Sequence, residues 1–420
     1  MSETQDTPES GTLPGRHWWV EEPDGRMSVP DDPEWNRFSD RVRTFEADGG
    51  ASYERQDAIG TAYADDHNRQ TEEPDLTVGY DLQQFPVDSA GDPQDASYYG
   101  MVRDEFNQPP GSLLCVERTE IPGGNDDAGI RLYTVARGVH VNASAELDPS
   151  AAEPILMELD CQPKKVRSYA IHQLSSAESL TPTSSEPDAD SDIQVTIEDE
   201  GANTSVTVDM GQSTDADAFD DIDAIWLSDT PEGDVTIESD DSSTTVCEIA
   251  GGLTYSEDDQ PVDGDRGVPA LGSGSAASEI GGTYEHFVGD KVERPGGTAV
   301  RPRIQSGSWS VENEFDTEAT HTSRLPTVDT SDATVQIEVD VAGPKVSHDS
   351  MMEALQKEQS NLYHELSSGT IEWKNATVVE SGTREREASG DAVVSVGETF
   401  EANGDPAIEL HEGQTISEVA

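Results

Sequence analysis

The sequence predicts a mainly β protein: two similar β-sandwich or barrel domains, each with one helix, and a small Ig-like β domain inserted between them. Three observations carry this. Val is commoner than Leu, Ile or Phe, and it falls with Thr and aromatic residues in short runs that alternate apolar and polar, the period of strands. The runs are punctuated by 36 Gly and 24 Pro, the residues of turns. The order of the runs early in the chain also recurs near its end. A length of 420 residues fits two or three domains.

Charge sets the conditions under which such a chain folds. Asp and Glu total 87 against 25 Lys plus Arg, a formal net charge of −62. In dilute salt such a surface repels itself and loosens the compact state. At about 1 M salt the screening length falls to about 3 Å and the repulsion is largely removed. The composition therefore points to a hypersaline environment. Disorder is the competing reading, because Leu, Ile, Val and Phe make up only 77 of 420 residues and weak hydrophobicity with high charge starves a core. The alternating runs argue against it. So few cations also exclude nucleic-acid binding through a basic face.

Residues 1–35 read as an arm, with Trp18, Trp19 and Trp35 among Pro, Gly and acids; these aromatics dock either on their own domain or on a neighbouring subunit. Residues 36–178 form the first β domain. Leu76, Val78, Tyr80 and Leu82 alternate with polar residues as a one-sided strand. A helix is expected from Asp95, with Tyr98, Tyr99, Val102 and Phe106 on one stripe. Gly111 ends it, and a strand follows at Leu114 and Val116. Residues 279–420 form the second domain in the same order. Ala333, Val335, Ile337, Val339 and Val341 alternate; a helix starts at Ser350 with Met352, Leu355, Leu362 and Leu366 on one stripe. Ser350 and Glu353 make its capping box, Gly369 ends it, and Ile371 and Trp373 begin the next strand. Pro154 to Leu159 lines up with Asp391 to Val396, and Val42 and Phe45 with Ile304 and Trp309.

Between them, residues 185–255 read as the insert, with strands at Ile193–Ile197, Ser205–Met210, Ile222–Leu227, Asp234–Ile237 and Thr245–Ile249. Linkers rich in Ser, Pro, Gly and Asp run from Ser175 to Asp192 and from Ser256 to Ser278. Trp226, the insert's one Trp, is expected in its core.

No catalytic constellation stands out: there is no HExxH, GxSxG or Walker sequence, and the chain is expected not to be an enzyme and to need no cofactor. Asp188, Asp190 and Asp192 have the first spacings of a Ca²⁺ loop, but Ile193 stands where that loop needs Gly and Asp199 where it needs Glu. They are weak metal candidates, as is the run from Asp215 to Asp223. Asn142, Asn203 and Asn375 begin formal glycosylation sequons. Cys115, Cys161 and Cys247 are widely spaced with no CxxC, which suggests buried free thiols. No apolar run is long enough to span a membrane. Met1 to Gly15 lack signal-peptide character, so synthesis inside a cell without standard secretion is expected.

The repeat unit resembles the tail tube proteins of long-tailed viruses. The second half carries the better match, through Gly307-Ser308-Trp309-Ser310-Val311-Glu312-Asn313-Glu314-Phe315, a polar stretch to Pro326, then Ala333 to Val339 and the helix from Ser350. The first half follows with Arg41 to Phe45, Ile59-Gly60-Thr61, Leu76 to Leu82 and Asp95 to Phe106. The resemblance is one of pattern over roughly residues 35–175 and 280–415. It implies rings stacked into a hollow tube, three duplicated chains making a pseudo-hexameric ring, with DNA passing through the lumen unbound. The polar stretches Tyr63 to Asp75 and Thr317 to Ser331 would reach the adjacent ring, the second ordered mainly by neighbouring subunits. The insert would decorate the outside.

The sequence is thus expected to encode a virion protein, the major tail tube subunit of a virus of halophilic archaea, partnered by itself and other tail proteins. A distal tail, baseplate or turret protein is the alternative within the virion, and a halophilic surface- or carbohydrate-binding β protein the alternative outside it. The charge makes one testable demand: the thermal midpoint, followed by circular dichroism, falls steeply as salt is lowered from about 3 M to below about 0.1 M, where the screening length exceeds about 10 Å. An unchanged midpoint would remove the hypersaline reading.

Overall fold

A computed structural model describes residues 15–22, 35–39, 41–49, 53–56, 66–69, 74–83, 113–123, 128–147, 153–199, 204–214, 218–254, 261–262, 264–268, 284–294, 298–300, 304–318, 327–343, 360–381, 385–386, 394–402 and 408–419. They are mainly strand, and every ladder between them is antiparallel. The helix expected from Asp95 and the start of the one expected at Ser350 lie outside these residues.

The first set of strands is β1 (Gly15–Glu21), β2 (Asn36–Arg37), β3 (Val42–Asp48), β4 (Tyr53–Gln56), β5 (Asp66–Arg69), β6 (Asp75–Asp81), β7 (Leu113–Ile121), β8 (Ile130–Leu147), β9 (Leu156–Gln162) and β10 (Lys165–His172). The insert contributes β11 (Leu180–Ser184), β12 (Gln194–Asp199), β13 (Thr204–Asp209), β14 (Ala224–Leu227), β15 (Val235–Ser239), β16 (Thr245–Ile249), β17 (Leu253–Thr254), β18 (Pro261–Val262) and β19 (Gly267–Val268). The last set is β20 (Phe287–Arg294), β21 (Thr298–Val300), β22 (Ile304–Glu318), β23 (Thr327–Gly343), β24 (Ser360–Leu366), β25 (Gly369–Ser381), β26 (Glu385–Arg386), β27 (Val394–Glu401) and β28 (Ile408–Glu412), followed by the single turn α1 (Ile416–Val419).

The pairing order of the first set occurs again in the last. The run β3-β6-β9-β8-β7-β1-β2 has the counterpart β22-β23-β27-β25-β24-β20-β21. Strand β10 lies on the first half of β8 as β28 lies on the first half of β25. The registers also match: β3 shifts between Val42 and Thr44, and β22 between Ile304 and Ser306. On this alignment Leu76 corresponds to Ile337, and Met157 to Val396.

The alignment corrects part of the sequence reading. Strand β7 corresponds to β24, not to the strand of Ile371 and Trp373, which matches β8. Leu362 and Leu366 lie in β24, paired on both sides, and not on a helix. Their spacing of four suits a helical stripe, but four is also even, so both side chains fall on one face of a strand. Gly369 accordingly opens β25. The stretch Thr317 to Ser331 is shorter as a loop than expected, because β22 and β23 pair out to Glu318 and Thr327. Within Tyr63 to Asp75, β5 pairs with β4.

Strands β8 and β25 each serve two sheets. Residues 130–137 of β8 pair with β10, whereas 140–146 pair with β9. Residues 369–373 of β25 pair with β28, whereas 377–381 pair with β27. A left-handed residue sits between the halves each time: Gly138 at φ 60° and Asn375 at φ 51°. Gly and Asn tolerate that conformation best, so each strand turns its second half into a new sheet. The result is one long sheet, β3-β6-β9-β8-β22-β23-β27-β25, in which β8 pairs directly with β22. Two smaller sheets lie across it, centred on β7 and on β24.

One core fills the space between the long sheet and both smaller ones, with Leu76, Met157, Trp309, Ile337, Trp373 and Phe400 among its members. Burial drives the pKa of His364 down to about 3. It stays neutral there and accepts a hydrogen bond at Nδ1 from the Trp373 indole, 3.0 Å away. A second core covers the other face of the β7 sheet. Leu113 and Cys115 face the first core while Leu114 and Val116 face the second, which is why β7 opens on an unbroken run of four apolar residues. The arm belongs to this sheet: β1 pairs with β7 along its whole length, Trp19 entering one core and Trp18 and Trp35 the other.

The insert is a pair of small sheets, β11-β15-β16 and β13-β12-β14-β19, whose apolar faces close the second core. It does not hang on open linkers. Leu180 to Ser184, expected in the first linker, pair with β15, and Gly267 and Val268, expected in the second, pair with β14. Buried charge fixes its orientation. Asp223 accepts from Arg118 at 2.9 Å and Arg131 at 2.8 Å, and the Tyr133 hydroxyl donates to its carbonyl at 2.6 Å. Arg137 donates to the Gly267 carbonyl at 2.7 Å. Trp226 is half-buried on the opposite face from Ile225 and Leu227, with the Arg266 guanidinium 4.8 Å from its ring centroid.

The bend can be tested by its backbone requirement. In urea unfolding any side chain at 138 must displace the Lys164 side chain, whose carbons would lie 2.8–3.0 Å from the new Cβ; beyond that shared cost Gly138→Asn tolerates the left-handed region, whereas Gly138→Val loses about 1–2 kcal/mol more. Equal effects of the two substitutions would show that the bend is not what Gly138 supplies.

Candidate functional surface on the long sheet

One face of the long sheet is core; the other is polar and open. Period-two alternation sorts them. Leu76, Val78, Val141, Ala143, Ala145, Met157, Leu159, Trp309, Val311, Val335, Ile337 and Phe400 point inward. The intervening positions carry Thr77 on β6, Glu158 and Asp160 on β9, Asn142, Ser144 and Glu146 on β8, Ser308, Ser310 and Glu312 on β22, Gln336 and Glu338 on β23, and Thr399 and Glu401 on β27. Glu146, Glu158, Asp160, Glu312 and Glu338 are exposed.

The registers keep these acids apart. Asp160 lies between Thr77 and Asn142, and Glu158 between Gly79 and Ser144. Glu146 faces Ser308, Glu312 faces Thr334, and Glu338 lies between Ser308 and Thr399. Like charges directly opposite each other destabilise a ladder; here each of these acids has a hydroxyl, an amide or a glycine across from it. Dense negative charge is thus compatible with continuous pairing. No Lys or Arg occurs in β6, β9, residues 140–147 of β8, β22, β23 or β27. Among the described residues arginines enter at the sheet's ends: Arg41 and Arg43 hold the buried Asp81 at 3.0 and 2.7 Å at one, and Arg386 lies on β26 at the other. Without cations the face cannot neutralise a phosphate, and its carboxylates repel one.

The metal candidates of the sequence do not converge. Asp190 is buried and accepts from the backbone N–H groups of Glu232 and Gly233, at 2.7 and 3.0 Å, and from the Ser184 hydroxyl. It pins a turn of the insert, while Asp188 and Asp192 are exposed beside it. Of the run from Asp215 to Asp223, Asp223 is in the Arg118–Arg131 network, Asp221 pairs with Arg131, and residues 215–217 lie outside the described residues.

A set missed by sequence reasoning is Glu372, Glu409 and His411 on β25 and β28, whose ligand atoms lie within 4.8 Å of one another. Both Glu372 oxygens already accept from protein donors: Asn361 at 2.6 Å and Tyr363 at 3.0 Å on one, His411 at 2.8 Å on the other. Lys374 pairs with Glu409 and, by that hydrogen bond, holds its carboxyl below the usual range. The set clamps β24, β25 and β28 together. It lies on the outer face of the smaller sheet that carries no insert, where the other small sheet presents Leu114, Val116 and Val135. Strands far apart in sequence supply these groups, so no local motif announces them.

Cys115, Cys161 and Cys247 are buried free thiols, and burial pushes Cys247 up to about 12. Among the described residues no helix is long and apolar enough to cross a membrane. The sequon residue Asn142 is on the polar face, Asn375 is exposed at the bend of β25, and Asn203 lies outside the described residues.

If charge keeps this face from holding nucleic acid, reversing it should create binding. Glu158→Lys, Asp160→Lys and Glu338→Lys together are expected to retain duplex DNA in a gel shift at the lowest salt at which circular dichroism shows both proteins folded, the log of affinity falling with log salt by about 0.9 per phosphate contacted. The unmodified protein should retain none; equal retention by both would show that the face does not govern contact with DNA. Neither the protein-family models nor the curated proteins searched contain a match to this chain.

Proposed function

We propose that this protein is a structural subunit of a hollow tube, the tail tube of a virus infecting a halophilic archaeon, through which viral DNA passes without being held. The observation that carries the reading is the long sheet. Two strand sets with one pairing order lie side by side in it, joined through β8 and β22, which is how a chain would carry two neighbouring units of a ring. Duplication of an ancestral domain explains the shared order, the shared register shift near the start of β3 and β22, and the left-handed residues at the bends.

The layering supports the same reading. The insert packs on the outer face of the β7 sheet, whose inner face packs against the long sheet. It therefore lies on the opposite side of the first set from the acidic face. A ring with the acidic face inward would carry the insert outward, free to meet other tail components. DNA sliding through would meet carboxylates, hydroxyls and amides but no cation on those strands. In molar salt the repulsion reaches only about 3 Å, so the missing cations matter as much as the charge. The role is mechanical, with no catalytic step.

Electron microscopy of the purified protein in about 3 M salt tests this. Rings or tubes with a central channel are expected. Monodisperse monomers at high concentration would overturn the reading and favour a surface-binding module.

A further inference from the structure

We infer that one copy of this chain joins the next by strand pairing between β3 of one and the β25–β26 segment of the other, in the register that β22 and β8 use within a single chain. The inference rests on the self-assembly proposed above, and it specifies the partner surface, a second copy of this chain, and its residues.

The argument starts from the internal joint. Val311 faces Ala143, Trp309 faces Ala145, and Gly307 faces Leu147. Ala143, Ala145, Leu147, Trp309 and Val311 are all buried there. By the pairing order, β22 is the counterpart of β3, and β8 is the counterpart of β25 continued by β26. Each joint strand therefore has a second version at an end of the long sheet. Among the described residues, β3 has a ladder on one side, with β6, and both residues 377–381 of β25 and β26 have theirs with β27.

The side chains at those ends differ from their counterparts as an unmade joint requires. Trp309 is 3% exposed inside the sheet. On β3, Val42, Phe45 and Ala47 pack on the core but remain only partly buried. Val379, the extra residue at the register shift of β25, is 52% exposed and is one of four large apolar side chains so exposed among the described residues. Open strand edges with apolar side chains invite pairing with another chain, and main-chain ladders between chains supply both adhesion and register. The two edges are different surfaces, so the contact is head to tail, and successive contacts close into a ring if the rotation permits.

The register follows from the ladders. Glu385 pairs with Ser395 as Glu146 pairs with Leu156, and Ser381 pairs with Glu398 as Ala143 pairs with Leu159. Glu46, which pairs with Thr77, stands where Ser308 stands against Glu338. Since Ser308 faces Glu146 and Val311 faces Ala143, Glu46 of one copy is placed opposite Glu385 of the next, and Gly49 opposite Ser381.

Cysteine pairs read the joint directly. The native thiols are buried, and facing residues of an antiparallel ladder have Cα atoms about 4.5–5.5 Å apart, within disulfide reach. In oxidised assemblies, Glu46→Cys with Glu385→Cys in one chain should give a ladder of covalent multiples on a non-reducing gel. A mixture of the two single variants should stop at dimers. Glu146→Cys with Ser308→Cys, at the internal joint, should close within each chain and leave a monomer band without extra free thiols. Glu46→Cys with Ser381→Cys, out of register, should cross-link far less. Gly49→Cys with Ser381→Cys repeats the test should the first pair disturb folding. Rings seen by microscopy, with the internal pair closed but both in-register pairs monomeric, would overturn the joint and leave the tube reading standing. Absence of both rings and cross-links would remove the tube reading and the joint together.

Discussion

The fold depends on two long strands that each bend out of one sheet into another. Strand β8 pairs with β10 before Gly138 and with β7 up to Val139, then with β9 and β22 from His140 onward. If it ran straight, the small sheet and the long sheet would be one surface, and the core between them would have no second wall. The left-handed residue is what turns one ribbon into two layers. Strand β25 does the same at Asn375. An asparagine can replace glycine there because its short polar side chain tolerates the conformation.

From this bend the rest follows in layers. The long sheet needs one apolar face for the core and leaves the other to water, giving the clean alternation of Thr77, Glu158, Ser144, Ser310 and Glu338 with buried neighbours. The β7 sheet is covered on both faces, so its alternate residues are apolar in both directions. The β24 sheet has no insert on its outer face and carries polar groups there, among them the Glu372 clamp. Two sheets of one topology thus differ in sequence because they differ in what covers them.

Charge and packing are separable in this molecule. On the polar face Glu146, Glu158, Asp160, Glu312 and Glu338 have neutral residues across from them, and among the described residues buried acids are held by specific donors: Asp223 by Arg118 and Arg131, Asp81 by Arg41 and Arg43, Asp190 by the backbone N–H groups of Glu232 and Gly233. Breaking the buried Arg118–Asp223 pair by removing one partner costs about 3–5 kcal/mol, whereas an exposed carboxylate on the polar face contributes to solubility and repulsion without anchoring anything. Arginine serves at the insert contact because its planar fork reaches a carboxylate and a backbone carbonyl from one side chain, as Arg131 does with Asp223 and Ile222.

By itself the sequence determined the strand-rich class, the positions of β12 to β16 in the insert and the buried thiols, because these depend on local period and composition. Alternation around Leu76 and Val335 is visible without any partner strand. Only the tertiary structure decided that Leu362 and Leu366 belong to a strand, since an even spacing of four satisfies helix and strand alike. It also decided that Trp18 and Trp19 are wall and not arm, because a strand's neighbours, here β1 on β7, are contacts distant in sequence. The acidic face was hidden for the same reason. Glu146, Glu158, Glu312 and Glu338 are ordinary alternating carboxylates in four separate segments, and they form one surface only when β9, β8, β22 and β23 are hydrogen-bonded side by side.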